Sequence, residues 1–196
     1  MTHPESEVEG HPLARPPDPE RRARILARAT DHVLAHGLAG LSLRPLAAAL
    51  GTSTRMLLYD FGSKEQLVTE LLAEARRRQA LLYAERFHAP GASRRETVEL
   101  AWEWLTAEER APYMRLLFEV YVDAMARPEA YADGGSALVA DWLGFFAPLL
   151  RGSDVDSVDV TVILAVLRGL LLDRLTAPDP ERTDRAFARF AALLRD

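Results

Sequence analysis

Residues 41–65, LSLRPLAAALGTSTRMLLYDFGSKE, decide how this chain folds. Ser42 stands where a helix N-cap is wanted, and Leu43, Leu46, Ala47 and Leu50 then recur at helical spacing as one apolar stripe. Gly51 ends that helix by allowing a left-handed backbone. A second short helix is predicted over about Ser53–Tyr59, and Ser63-Lys64-Glu65 opens a third. A rod of two turns does not persist alone in water, so Leu57 and Phe61 must pin it to its neighbours. That leaves Thr54, Arg55, Met56 and Tyr59 facing outward. An exposed Arg and Tyr four residues apart suit a helix laid in a groove better than a core element. The layout is that of a DNA-reading helix-turn-helix.

Upstream, Asp18-Pro19-Glu20 supplies an N-cap, a proline at the first helical position and an acid in the first turn. The helix it starts is predicted to run to His36 and stop at Gly37, burying Ile25, Ala29 and Val33 with Leu26 and Leu34 beside them. Residues 1–17, with four prolines, read as a disordered arm. Downstream there is only helical periodicity. A long helix spans about Ser63–Phe87 with Leu67, Leu71, Leu72 and Ala75 inward, and Ser93 with Glu96 forms a capping box for a helix to about Thr106. Further helices are predicted from Pro112 to about Arg127, from the turn at 133–136 to about Leu150, over Asp154–Leu175 and over Glu181–Arg195. The last should bury Phe187, Phe190, Leu193 and Leu194. The expectation is an all-α chain: a helix-turn-helix domain at 18–64 and a larger helical domain at 65–196.

Composition narrows the function. The 196 residues contain no cysteine, which excludes disulfides, thiolate metal sites and a cysteine nucleophile. No stretch of about 18 uncharged apolar residues appears, and the first twenty residues lack the apolar centre of a signal peptide. A cytoplasmic protein with no membrane partner is expected. The net charge of −5 argues against nucleic acid until it is mapped along the chain. Residues 1–17 carry −2, residues 18–65 carry +2 and residues 66–196 carry −5. The one positive segment holds the motif, and screening over roughly 10 Å lets a local basic face act on phosphate despite an acidic body. The chain's single lysine, Lys64, lies at the start of the helix that follows the reading helix.

The run ILARATDHVLAHGLAGLSLRPLAAALGTSTRMLLYDFGSKEQL closely resembles the N-terminal DNA-binding domain of TetR-family transcription regulators. The resemblance covers roughly residues 20–72: a helix ending in Gly, LSLRxLAxxLG, a two-turn helix, Phe and SKExL. It implies a homodimer on a palindromic double-stranded operator, acting as a repressor and released by a small molecule held in the C-terminal domain. By position it gives Arg44, Thr54, Arg55, Met56 and Tyr59 roles at DNA and Lys64 a phosphate. Two departures stand out. The family usually places a Tyr where this chain has Leu58, which transfers a phenol contact to Tyr59. Asp60 replaces a common His, and an acid beside phosphate must either turn inward or weaken binding.

The helix at 154–175 is apolar nearly all round, so one side needs a cover from outside a domain this small. With the last helix it is expected to form a four-helix dimer interface through Leu164, Gly169, Leu172, Phe187, Phe190 and Leu194. Aromatics are dense between them: Trp102, Trp104, Tyr113, Phe118, Tyr121, Trp142, Phe145 and Phe146. Trp102 and Trp104 lie two apart and do not share a helical face, so at most one lines a given cavity. The expected lining is Trp102, Leu105, Tyr113, Phe118, Tyr121, Trp142 and Phe146, around an apolar or aromatic effector, with Arg168 as an anchor for negative charge.

Catalytic readings find no support. His32 and His36 are four apart but nothing completes a metal site, and Asp154, Asp156 and Asp159 lack the glycine and closing glutamate of a calcium loop. No phosphate loop, dinucleotide fingerprint, nucleophile elbow or HExxH occurs. A non-enzyme without cofactor or metal is expected. Two alternatives stay open: a DNA-binding regulator with no small effector, and a helical binding or catalytic protein whose helix-turn-helix is structural only.

Overall fold

The computed structural model describes residues 18–86, 93–131, 140, 143–144, 150, 157–177 and 179–194. Eight α-helices are described: α1 Pro19–His36, α2 Leu43–Leu50, α3 Thr54–Phe61, α4 Lys64–Arg86, α5 Arg94–Thr106, α6 Ala111–Ala126, α7 Ser157–Thr176 and α8 Pro180–Ala191. Single 3-10 turns at Glu108–Arg110 and Pro128–Ala130 flank α6. The expected arm at 1–17, the break after Phe87, the turn at 133–136 and the cluster Asp154–Asp156 lie outside the described residues, as do Trp142, Phe145 and Phe146.

The sequence signals at the helix ends act largely as chemistry requires. Asp18 accepts hydrogen bonds from the Glu20 and Arg21 amides, and Gly37 closes α1 with φ of 83°. Gly51 adopts the left-handed conformation at φ 67° and ψ 35°, making the turn between α2 and α3. Ser53 caps α3 by accepting from the Met56 amide at 3.2 Å. The Ser93–Glu96 capping box is complete in both directions. Two expectations need correction. Ser42 occupies the N-cap of α2 but its side chain makes no capping bond. The last helix ends at Ala191, three residues before Leu194, so Leu193 falls on a turn and is exposed.

Two apolar clusters hold the chain together. The first joins Ile25, Ala29 and Val33 of α1 to Leu46, Ala47 and Leu50 of α2, Leu57 and Phe61 of α3, and Leu67, Leu71 and Ala75 of α4. Leu116 and Val120 of α6 complete it. The second gathers α5, α6, α7 and α8 around Leu105, Ile163, Leu164, Leu167 and Phe187. Helix α3 is pinned by Leu57 and Phe61 as its length demands. An ion pair adds to the apolar hold, since Arg21 reaches Asp60 at 2.6 Å and the Asp60 side chain is wholly buried. Asp60 therefore turns inward, away from where phosphate would lie. Arg22 braces the same turn from Nε to the Asp60 carbonyl at 2.9 Å, with its guanidinium over the Phe61 ring.

Helix α4 is tied back to α1 by two arginines: Arg22 of α1 reaches Glu70 at 2.5 Å, and Arg78 of α4 reaches back to α1. Arg78 donates to Asp31, to the Ala27 carbonyl and to Glu74 of its own helix. Hydrogen bonds from Arg77 and then Arg78 hold the Glu74 carboxyl down at about 2, against the opposing pull of burial.

Candidate functional site

Helices α2 and α3 and the first turn of α4 present the residues that the sequence singles out for DNA. Arg44, Arg55, Tyr59 and Lys64 are exposed, while Thr54 and Met56 are half-buried beside them. Leu57, Asp60 and Phe61 take up the inner face of α3, so its outer face is left to the others. Leu58 joins that outer face, 40% exposed beside Tyr59 at 44%. An apolar side chain there suits a thymine methyl or a sugar better than water. The sequence reading passed over Leu58 as a departure from pattern. The signal was available, because it lies three residues after Arg55 and four after Thr54.

The second feature is a cavity of about 600 Å³ between α4, α5 and α6. Helix α4 contributes Leu72, Ala75, Arg76, Arg77 and Gln79 among its walls, α5 contributes Trp104, and α6 contributes Tyr113, Met114, Leu116, Leu117 and Val120. Its size lies within the usual range for a small-molecule site, and its walls are mainly apolar. Five of the wall residues, Leu72, Ala75, Tyr113, Leu116 and Val120, also belong to or pack on the apolar cluster that supports the helix-turn-helix. Helix α6 reaches further toward that unit through Glu119, whose carboxylate accepts from the Leu38 amide at 2.5 Å in the loop after α1.

Comparison with known proteins bears on both features. The family model for bacterial regulatory proteins of the tetR family matches residues 25–71, the span from α1 into α4. Residues 25–71 therefore form a DNA-binding unit of the tetR-family type. Among curated proteins none matches it. Among solved structures it is similar to the multidrug binding protein EbrR complexed with imidazole, at 26% identity and a TM-score of 0.68 over 97% of this chain and 98% of the other. A second structure of EbrR, complexed with ethidium, gives 28% identity and a TM-score of 0.69 over 90% and 99%. A TetR-family member from Streptomyces coelicolor A3 gives 27% and 0.69 over 91% and 100%. The match and these structures together support a DNA-binding transcription regulator of helix-turn-helix type, and the described residues form helices as the sequence predicts, with no strand among them.

Several expected cavity residues stand elsewhere. Trp102 is a core residue: its ring stacks on Phe187 with centroids 4.8 Å apart, and its Nε1 donates to Asp184 at 2.9 Å. Leu105 is buried in the same core and Phe118 packs against it. Trp104, on the other face of α5, takes the place at the cavity that the reading gave to Trp102. Tyr121 lies beneath Arg168, whose guanidinium is 5.4 Å from the ring centre, and neither lines the cavity. Of the expected residues within the described set, only Tyr113 does. Met114 and Leu117 escape the sequence reading because a helical face turned toward a cavity carries the same apolar pattern as one turned toward core, and Gln79 escapes it because a lone polar residue on a long helix reads as a solvated one.

The expected interface residues divide as well. Leu164 and Phe187 are buried in their own chain's core and do not face outward. Phe190 and Leu194 are partly buried against that core. Gly169 and Leu172 lie on an open face of α7 with Val158, Val162 and Ala165, at alternating steps of four and three residues. Among the described residues no heavy atom would lie within 4 Å of a methyl group placed on Gly169, apart from its own helix backbone and chain neighbours. His32 and His36 stack at 4.2 Å, and His36 Nδ1 lies 2.9 Å from the His32 carbonyl. Among the described residues no cluster of three or more potential ligands could hold a metal, and no helix is long and apolar enough to cross a membrane.

Proposed function

We propose that the chain is a ligand-released repressor that binds a palindromic operator as a homodimer. Its domains would be a DNA-binding unit at 18–64 and an effector-binding and dimerisation unit at 65–196. Arg55 and Tyr59 of α3 read base edges with Thr54, Met56 and Leu58 around them. Arg44 and Lys64 contact the flanking backbone. Two copies pair through the open stripe on α7 with α8 alongside, which puts two α3 helices on successive major-groove faces about 34 Å apart.

One observation carries the ligand response. The same side chains of α4 and α6 wall the cavity and buttress the helix-turn-helix. A molecule that fills the cavity shifts those walls, and packed cores respond by changing arrangement as units. Glu119 transmits the movement of α6 to the loop between α1 and α2. The apolar walls with Trp104 and Tyr113 favour an apolar or aromatic effector, and the similar EbrR is seen with imidazole and with ethidium. The test is recovery of genomic fragments bound by the purified protein at moderate salt. Inverted repeats with half-sites one helical turn apart support the reading. Fragments that are unrelated in sequence, or absent even at low salt, overturn it.

A further inference from the structure

The polar groups at the cavity determine the charge of what it takes, an inference that rests on the effector reading above. No Asp or Glu side chain lines it among the described residues, whereas Arg76 and Arg77 do. Gln79 also lines it, and both of its amide atoms are buried without a hydrogen-bond partner. Arg110, the residue before α6, is 8% exposed. It is not itself a wall residue, but it lies three, four and seven residues before Tyr113, Met114 and Leu117, which are, and so at the end of their helical stripe. Its guanidinium carbon sits 5.1 Å over the ring of Trp104, another wall residue. Its Nε is buried and unpartnered, and no described carboxylate forms an ion pair with it.

Buried charges are paired in folded proteins, and an aromatic face replaces only part of a lost counter-charge. A cation is also disfavoured at a helix N-terminus, so the helix does not account for Arg110. We propose that the ligand supplies the missing charge: the cavity takes an apolar carboxylic acid, its carboxylate paired with Arg110 beside Trp104 and hydrogen-bonded by the Gln79 amide. The ring or chain of the acid fills the space between Leu117, Met114 and Leu72. A cation meets arginines there and no acid among the described walls.

Three probes with one ring system separate the possibilities: 1-pyrenecarboxylate, 1-pyrenecarboxamide and 1-pyrenemethylammonium, each titrated calorimetrically into the full-length protein. The carboxylate should bind at least about tenfold more tightly than the ammonium, with the carboxamide between. Arg110→Gln should bring the carboxylate to the level of the carboxamide, and Arg110→Lys should keep most of its advantage. Gln79→Leu should weaken carboxylate and carboxamide together. The ranking in the unaltered protein needs no variant to fold. Equal or reversed affinities for acid and ammonium overturn the acid assignment alone, as does an acid preference that survives Arg110→Gln. If none of the three binds, the effector reading falls and this inference falls with it.

Discussion

Arg55 at the start of α3 and Lys64 at the start of α4 are both exposed cations, yet their proposed roles make different demands on DNA. In the proposed complex Arg55 would grip guanine O6 and N7 with its planar fork, whereas Lys64 would offer phosphate a point charge. Arg55→Ala should cost about 1–3 kcal/mol on the best site and relax preference at one base step, as read by competition between single-base variants. Lys64→Ala should weaken all sequences alike and lower the slope of log affinity against log salt by about one. An unchanged slope removes its phosphate role. Gly37 illustrates a residue whose constraint is entirely backbone and neighbour. At φ 83° a side chain is strained, and its Cβ would come 2.7 Å from Glu119 Oε1. Gly37→Ala should destabilise the fold by about 1–3 kcal/mol in denaturant unfolding, with loss of the Glu119–Leu38 bond. Asp60 was legible only as a choice between two fates. Arg21 settles it from 39 positions away, a partner that spacing along α3 alone does not reveal.

At the scale of elements, helix boundaries were readable where a cap or glycine marks them: Asp18, Gly37, Gly51, Ser53 and Ser93 each stand at an end. Which face of an apolar helix meets core, cavity or partner was not, because all three call for the same side chains. Trp102 and Trp104 show the limit, since periodicity separates their faces but does not rank them. The joint between α1 and α4 has a pH signature. Hydrogen bonds from Arg77 and Arg78 hold the Glu74 carboxyl at about 2 in the folded chain, below its ordinary value of 4.5, so the folded state favours its ionised form. Its contribution to stability is complete above about pH 4.5 and is lost as pH falls toward 2. Glu74→Gln should therefore flatten the acid side of the stability curve in that window, measured by urea unfolding at stepped pH. A slope equal to that of the unaltered protein would detach Glu74 from the joint.

For the whole molecule, the open stripe Val158, Val162, Ala165, Gly169 and Leu172 is the cue to assembly. A glycine inside a helix costs about 1 kcal/mol relative to alanine. In one chain no described residue packs on Gly169, whereas in the proposed pair it would let two backbones approach. Leu172→Arg places a charge on that stripe at a position already 49% exposed, so the single chain tolerates it. It should convert a dimer to a monomer in sedimentation and abolish tight operator binding while leaving helix content intact. The central claim is that an occupied cavity and a bound operator oppose each other through the walls they share. The most direct measurement is the affinity of the tightest-binding pyrene probe for free protein and for protein saturated with its recovered operator. Coupling is reciprocal, so the probe should bind the DNA complex more weakly by the same factor by which it weakens DNA binding, about 5- to 150-fold. Equal affinity in the two states would contradict the account.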